Sequence, residues 1–280
     1  MSDRVGLIGV GAMGRALLSR LRAAGKEVQA YDVSQEARKA AQDGGATAVP
    51  SPAAAARGAS YVHVIVASDE QVDQVMLGPD GVLTGAAPGT MVLLHSTILP
   101  TTTQKIAAAA VKSEIAVIDA PITAVPPRLK DGHGVFLVGG SDKQVAAVRG
   151  HLLSLGKDVQ HFGPLGAGNV AKLAKALINA GERVLLNEVL DLAASGQLNL
   201  EQFLEMERAT GNGGPVLRWD RIYAIENGRA RHLPATNLFN KDIVLAAKLA
   251  EAYRIDAPMT QGAARTSARW VREWSKLPKE

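Results

Sequence analysis

Val5-Gly6-Leu7-Ile8-Gly9-Val10-Gly11-Ala12-Met13-Gly14 is the stretch on which the fold turns. A short apolar run feeds three glycines spaced G-x-G-x-x-G. The Ala- and Leu-rich segment Met13–Ala24 that follows has helical length, and a second apolar run, Glu27–Asp32, ends on an acid 21 residues past Gly11. Glycine is common, so the triplet alone says little. Strand, glycine turn, helix, strand and acid together form the dinucleotide-binding context. There Gly9 permits the tight turn, Gly11 lets the backbone approach a pyrophosphate, and Gly14 lets the helix lie close to the strand. Ala12 and Met13 complete the loop. The N-terminus of the helix offers unpaired N–H groups and the positive end of its dipole to phosphate.

Asp32 discriminates between cofactors. A carboxylate accepts both ribose hydroxyls of NAD and repels the 2′-phosphate of NADP. Neither Val33 nor Ser34 is basic, and the next arginine is Arg38. NAD is therefore favoured over NADP. The plainer reading of Asp32 is a strand-end cap for the helix starting near Gln35.

Outward from this unit the alternation continues. Apolar runs at Tyr61–Ala67, Met91–His95, Ile115–Asp119, Val135–Val138 and Val159–Phe162 are short and rich in Val and Ile, as strands buried on both faces are. Helical stretches at Gln35–Asp43, Gln71–Leu77, Thr102–Val111 and Lys143–Leu153 separate most of them. Repeated βαβ units give a mostly parallel sheet, an α/β fold of Rossmann type over residues 1–163. Beyond the loop Gly163–Gly168 the pattern changes. From Asn169 to about Ser195 only Gly181 interrupts a helical spacing of Leu173, Leu177, Val184, Leu185, Val189 and Leu192. Such a helix is about 40 Å long. Further helices are expected near Leu200–Thr210, Val216–Ile225, Phe239–Tyr253 and Pro258–Trp274, making residues 164–280 an all-α domain joined by the long helix.

Composition excludes several alternatives. The chain has 280 residues, 47% hydrophobic and 21% charged, which argues against disorder and low-complexity scaffolds. With no cysteine there is no disulfide, thiol nucleophile or Cys-based metal site. A net charge of +4, without a like-charge run or an aromatic-basic stripe, does not suit nucleic acid; it suits a small anionic substrate or cofactor. No apolar run reaches the ~18–20 residues of a membrane span. No cleavage pattern follows the N-terminal run, so a cytoplasmic location is expected. The six histidines show no metal-ligand spacing, and neither a G-x-S-x-G elbow nor a phosphate loop of G-x-x-x-x-G-K-[ST] form occurs. Trp219, Trp270 and Trp274 read as packing or subunit-contact residues.

Almost the whole chain resembles the β-hydroxyacid dehydrogenases, which include 3-hydroxyisobutyrate dehydrogenase and tartronate semialdehyde reductase, with 6-phosphogluconate dehydrogenase as a larger cousin. Five segments carry the resemblance in order: the opening Val5–Gly14; Ser96-Thr97-Ile98-Leu99-Pro100-Thr101-Thr102; Asp119-Ala120-Pro121-Ile122-Thr123 with Gly139-Gly140; Gly166-Ala167-Gly168-Asn169-Val170-Ala171-Lys172; and Lys241-Asp242-Ile243. The resemblance implies NAD(P)-linked, metal-free oxidation of a hydroxyl β to a carboxylate, with the helical half serving substrate binding and dimerisation. It implies that Lys172 is the catalytic acid/base, that Ser96 and Thr97 border the nicotinamide, that Ser96 and Thr123 orient the substrate, and that Lys241 reaches the cofactor. A lysine on the first turns of a helix, buried at a domain interface, is destabilised as an ammonium, which suits proton transfer.

Two departures bear on the substrate. The family's Asn four residues after the lysine is Ala176 here. At ~100° per residue Lys172, Lys175, Asn179 and Arg183 share one helix face, so Lys175 and Asn179 are expected as replacement contacts. Lys175 could also disfavour the charged form of Lys172 by like-charge repulsion. The bland reading of this stripe is a solvated polar face. The family's Ser-Gly-Gly is Thr123-Ala124-Val125-Pro126-Pro127, which keeps the hydroxyl but stiffens the backbone and removes two donors. The sequence leaves open imine reduction on the same fold and a non-catalytic NAD-binding role.

Overall fold

The computed structural model describes residues 4–210, 214–218, 223–232 and 237–274. Two compact units divide the chain, Met1–Lys172 and Leu173–Glu280. Trp219 lies outside the described residues, as do the side chains of Trp270 and Trp274.

The first unit begins with β1 (Arg4–Ile8), α1 (Ala12–Ala23), β2 (Glu27–Tyr31), α2 (Gln35–Asp43), β3 (Thr47–Ala48), α3 (Pro52–Ala56) and β4 (Tyr61–Val64). It continues through α4 (Asp69–Leu77), α5 (Val82–Gly85), β5 (Met91–Leu94), α6 (Pro100–Ala110), β6 (Ala116–Asp119), β7 (Ile122–Thr123), α7 (Pro126–Lys130), β8 (Val135–Gly139), α8 (Asp142–Leu155) and β9 (Asp158–Gly163). The strand order is β3-β2-β1-β4-β5-β6-β8-β7, with β9 on β8. The first six of these strands run parallel in the 3-2-1-4-5-6 order of doubly wound dinucleotide-binding sheets. β8 then joins β6 and β7 antiparallel.

Side-chain alternation builds two cores. Val5, Leu7, Leu93 and Ile118 face one side of the sheet, where Leu17 and Leu21 of α1 and Val148 and Leu152 of α8 cover them. Ile8, Val62, Val64, Val92, Leu94 and Val117 face the other, covered by Val72, Val75 and Met76 of α4 and Ile106 of α6. Each such side chain removed from water is worth about 1.5–3 kcal/mol. Four helix starts are set by serine. Ser34, Ser51, Ser68 and Ser141 accept backbone N–H bonds three residues on, and Ser141 with Gln144 forms a full capping box. A cap of this kind contributes about 0.5–2 kcal/mol. Thus Ser34, and not Asp32, caps α2.

The second unit holds most of α9 (Ala167–Ser195), which starts in the first, followed by α10 (Leu200–Ala209), α11 (Gly214–Arg218), α12 (Asn237–Ala252) and α13 (Pro258–Trp274). Ala180, Ile243 and Ala263 bring α9, α12 and α13 together. The helix expected over Val216–Ile225 is corrected: α11 is described over Gly214–Arg218, and β10 (Tyr223–Glu226) pairs antiparallel with β11 (Arg229–His232). Asn227 and Gly228 have φ of 52° and 72°, the left-handed pair that a two-residue hairpin turn requires.

Candidate functional site

The ends of β1, β2, β4, β5 and β6 point the same way, and the predicted residues of the first unit gather at that edge. Gly9 follows β1 with φ 92°, and a Cβ there would lie 2.3 Å from the Ile65 carbonyl oxygen at the end of β4. A Cβ on Gly14 would lie 2.1 Å from the Gly9 carbonyl oxygen, so α1 sits against the turn only because both residues are glycine. Gly11 differs. It is exposed, it is the N-cap of α1 without a side-chain cap, and a Cβ built on it meets nothing within 4 Å. With Ala12 exposed and Met13 half-buried beside it, the first turn of α1 presents backbone, no acid and no competing acceptor side chain. This arrangement fits a pyrophosphate.

Asp32 stands just past β2. Its Oδ2 accepts the Val10 N–H at 2.7 Å and its Oδ1 accepts the Ser34 N–H at 2.9 Å. The carboxylate therefore ties the glycine loop to the end of β2. Arg38 turns back to the same place, where one Nη1 donates to the carbonyls of Asp32 at 2.6 Å and Val33 at 3.1 Å. Ser96, buried beyond β5, accepts the Val66 N–H on Oγ at 2.8 Å, which joins the ends of β4 and β5. Thr97 is half-buried beside it. Asp69 Oδ1 receives Leu99 N–H at 3.0 Å and the Thr102 hydroxyl, holding the following turn.

The start of α9 is locked by a residue whose part in this was not foreseen. Asp119, fully buried at the end of β6, accepts Gly166 N–H on Oδ1 at 2.7 Å and Asn169 N–H on Oδ2 at 2.8 Å. Burial raises its pKa, and the backbone donors oppose that rise without cancelling it. A Cβ on Gly139 would stand 2.4 Å from Oδ1, and one on Gly168 would stand 2.2 Å from the Leu137 carbonyl oxygen. These two glycines thus allow α9 to seat on the carboxylate. Asn169 is also buried and donates from Nδ2 to Thr103 Oγ1 at 2.8 Å. No local sequence signal links Asp119 to α9, since the partners are 47 and 50 positions apart.

From that anchored turn Lys172 reaches β7. Its Nζ donates to the Ile122 carbonyl oxygen at 2.6 Å, one residue before the half-buried Thr123. Further along α9, Lys175 is exposed, Asn179 is half-buried and Arg183 is buried. The stripe is therefore not uniformly solvated, and burial pulls Arg183 down to about 10. Lys241 in the second unit lies 3.8 Å from Asp242 Oδ1. Among the described residues no group of His, Asp or Glu is arranged to hold a metal, and no helix is long and apolar enough to cross a membrane.

This fold and loop define a dinucleotide-binding protein of the doubly wound class. The family profile for the NAD-binding domain of 6-phosphogluconate dehydrogenase matches residues 4–163. That for the NAD-binding domain of NADP-dependent 3-hydroxyisobutyrate dehydrogenase matches residues 166–276. The chain is 31% identical over 265 residues to an NAD-dependent L-serine dehydrogenase of Pseudomonas aeruginosa, covering 91% of this chain and 88% of that one. It is 28% identical over 268 residues to a 3-hydroxyisobutyrate dehydrogenase of the same organism, covering 92% and 89%. The fold is that of a Mycobacterium tuberculosis 3-hydroxyisobutyrate dehydrogenase solved with L-serine, with a TM-score of 0.84 at 23% identity, covering 97% and 94%. The chain belongs to the β-hydroxyacid dehydrogenase family and is an NAD(P)-dependent oxidoreductase acting on CH–OH groups.

Proposed function

We propose that this protein interconverts a β-hydroxyacid and its carbonyl form with NAD, using Lys172 as general base in oxidation and general acid in reduction. The observation that carries the reading is the 2.6 Å bond from Lys172 Nζ to the Ile122 carbonyl oxygen, which holds the nitrogen on the segment that continues past the end of β6 to Thr123. NAD, when bound, supplies the hydride acceptor at its nicotinamide. The chain supplies the rest. Gly9, Gly11, Ala12, Met13 and Gly14 hold the pyrophosphate, Asp32 the ribose hydroxyls, and Thr97 and Lys241 the cofactor's remaining surface. Ser96 and Thr123 orient the substrate, with Lys175 and Asn179, one and two turns along α9, as its further contacts. In oxidation the hydroxyl proton passes to Nζ, and in reduction Nζ returns it to the forming alkoxide.

Lys172→Ala is expected to lower kcat by about 10²–10⁴-fold, the usual worth of a positioned acid/base, with NADH affinity unchanged. Unchanged turnover of a 3-hydroxyacid panel refutes the assignment. Turnover of cyclic imines alone would mean imine reduction, and NADH binding without turnover on either panel would mean a non-catalytic relative. NAD over NADP is supported by Asp32, whose carboxylate is oriented by Val10 and Ser34. NADH is expected to bind more tightly than NADPH, and Asp32→Ser to narrow the ratio. An NADPH preference in the unmodified protein overturns this choice. A cytoplasmic homodimer or higher homo-oligomer completes the reading. The helical half supports it with Ile178, Leu185 and Leu192, spaced by seven on α9 and 60%, 54% and 75% exposed. A monomer by light scattering refutes the oligomer.

A further inference from the structure

Three histidines take no part in the chemistry above, yet they form one connected line inside the first unit. His63 on β4 and His95 just past β5 are buried, and His151 on α8 is half-buried. His151 Nε2 lies 3.0 Å from His63 Nε2, His63 Nδ1 lies 2.8 Å from His95 Nε2, and His95 Nδ1 lies 2.7 Å from the Ala120 carbonyl oxygen. The rings stack as well as bond: His63 and His95 are 5.2 Å apart at 15°, and Tyr61 covers His151 at 4.0 Å and 6°. Both ring nitrogens of His63 are taken by its two neighbours, so the rings bond in series and do not converge on a common point.

The carbonyl fixes the polarity of the line. An oxygen only accepts, so His95 Nδ1 carries the hydrogen. Burial holds His63 and His95 neutral, with His95 pulled down to about 4. A neutral imidazole has one donor and one acceptor. His95 Nε2 must then accept from His63 Nδ1–H, and His63 Nε2 must accept from His151 Nε2–H. Every tautomer follows from the last acceptor. The other groups packed on the line, Lys26 near His151, Tyr61 and Phe136, do not reverse this direction.

The acceptor sits at a decisive place. Ala120 is the first residue past β6, Asp119 before it seats α9, and Ile122 two residues later holds Lys172. The Ala120 N–H donates to the Leu94 carbonyl oxygen at 2.8 Å and the Leu137 N–H to that of Pro121 at 3.0 Å, while Pro121 has no donor of its own, so the Ala120 carbonyl is held by the His95 ring. We propose that His95 is a positioning residue, and that the His151–His63–His95 line fixes the Ala120 carbonyl and through it the Asp119–Thr123 segment against which Lys172 is placed. The proposal rests on the Lys172 reading for its effect on turnover, but not for the tautomers or the backbone position.

Two measurements test it. The 15N resonances of the histidine side chains in the intact protein, near neutral pH, are expected to show hydrogen on Nδ1 of His95, Nδ1 of His63 and Nε2 of His151. Hydrogen on Nε2 of His95 overturns the proposal without reference to activity. His95→Leu removes the donor to Ala120, whereas His95→Asn returns an amide N–H close to the Nδ1 position. The expected pattern is a shift of the Ile122 and Thr123 backbone amide resonances and a kcat loss of about ten- to a hundredfold in the Leu variant. NADH affinity should be kept in both variants, and turnover largely restored by Asn. Loss of thermal stability in both variants with equal kcat means that the line is structural only and overturns the positioning role. If His95→Leu does not fold, His63→Leu, one ring further from the site, is read in the same way. If the unmodified protein turns over no substrate, the Lys172 reading fails by itself, and the tautomers and amide shifts still decide the proposal.

Discussion

Acid should unfold the first unit earlier than an ordinary histidine content would suggest. His95 and His151 are both held near 4 in the folded chain, mainly by burial, against an ordinary 6.5 when unfolded. His63, enclosed between them, is lowered well below its ordinary value. In each case the unfolded chain takes up its proton first as pH falls. The stabilisation is therefore fully present above about 6.5 and is lost progressively as pH drops toward 4. At ~1.36 kcal/mol per pKa unit, the step from pH 7 to about pH 5 costs about 2 kcal/mol for His95. His151 is partly open to water, so its share is discounted to about 1 kcal/mol. Together they remove about 3 kcal/mol from a total of typically 5–15. Asp119 acts in the opposite sense: its raised pKa favours the folded state as pH falls toward that value. With urea slopes of about 1–3 kcal/mol per M, the midpoint should drop by about 1–3 M. The three tryptophans all belong to the second unit, so fluorescence watches the wrong place. Exchange of the β4 and β5 amides in urea, followed by mass spectrometry, reports on the right one. His151→Gln keeps a donor toward His63 but cannot titrate, and it should reduce the fall in stability by about 1 kcal/mol, the share given above to His151. A midpoint unchanged between pH 7 and 5, or an identical fall in His151→Gln, refutes the reasoning.

Asp119→Asn should destabilise the first unit by about 2–4 kcal/mol, because an amide accepts on one oxygen only and turns its NH2 toward a backbone N–H that had a charged acceptor. Urea unfolding measures this, and a loss below the error of the midpoint would show that Asp119 does not anchor α9. Gly14→Ala places a methyl where the Gly9 carbonyl oxygen stands, at 2.1 Å, so α1 must move. It should cost about 1–3 kcal/mol and weaken NADH binding, as read by titration calorimetry, whereas Gly11→Ala should leave stability nearly unchanged.

Local chemistry was legible in the sequence and long-range chemistry was not. The β1 turn, Gly14 and Asp32 could be read because their spacing is short and each residue type has one physical use there. The bounds of α2 were predicted as Gln35–Asp43 and are found there, with Ser34 as its cap. β7 and α7 escaped notice because Ile122–Thr123 is too short to show a period and Pro126-Pro127 reads as a loop, although proline suits the first turn of a helix. The hairpin over 223–232 was masked by the apolar spacing of the preceding residues. Asn227-Gly228 was the signal that could have revealed it. Asp119 belongs to a legible motif, but its grip on Gly166 and Asn169 depends on the sheet order. The histidine line is wholly tertiary, since residues 63, 95 and 151 share no spacing and meet only because β4 and β5 are neighbours and α8 packs over that face.

The common edge formed by the ends of β1, β2, β4, β5 and β6 has a consequence for mutational tolerance. Side chains that hold the sheet lie inside the strands, whereas Gly9, Asp32, Ser96 and Asp119 lie on the last residue or within two residues beyond. Substitutions at Thr97, or between Thr123 and Arg128, leave the strand interiors and the buried Ile98 untouched. A lineage can therefore explore new substrates through these short connections while its scaffold stays constant. The two departures from the family pattern, at Ala176 and at Thr123–Pro127, lie outside the strand interiors too. A combinatorial library confined to those connections, with Lys172, Asp119 and the glycine turn held fixed, is the natural place to search for altered specificity in this chain.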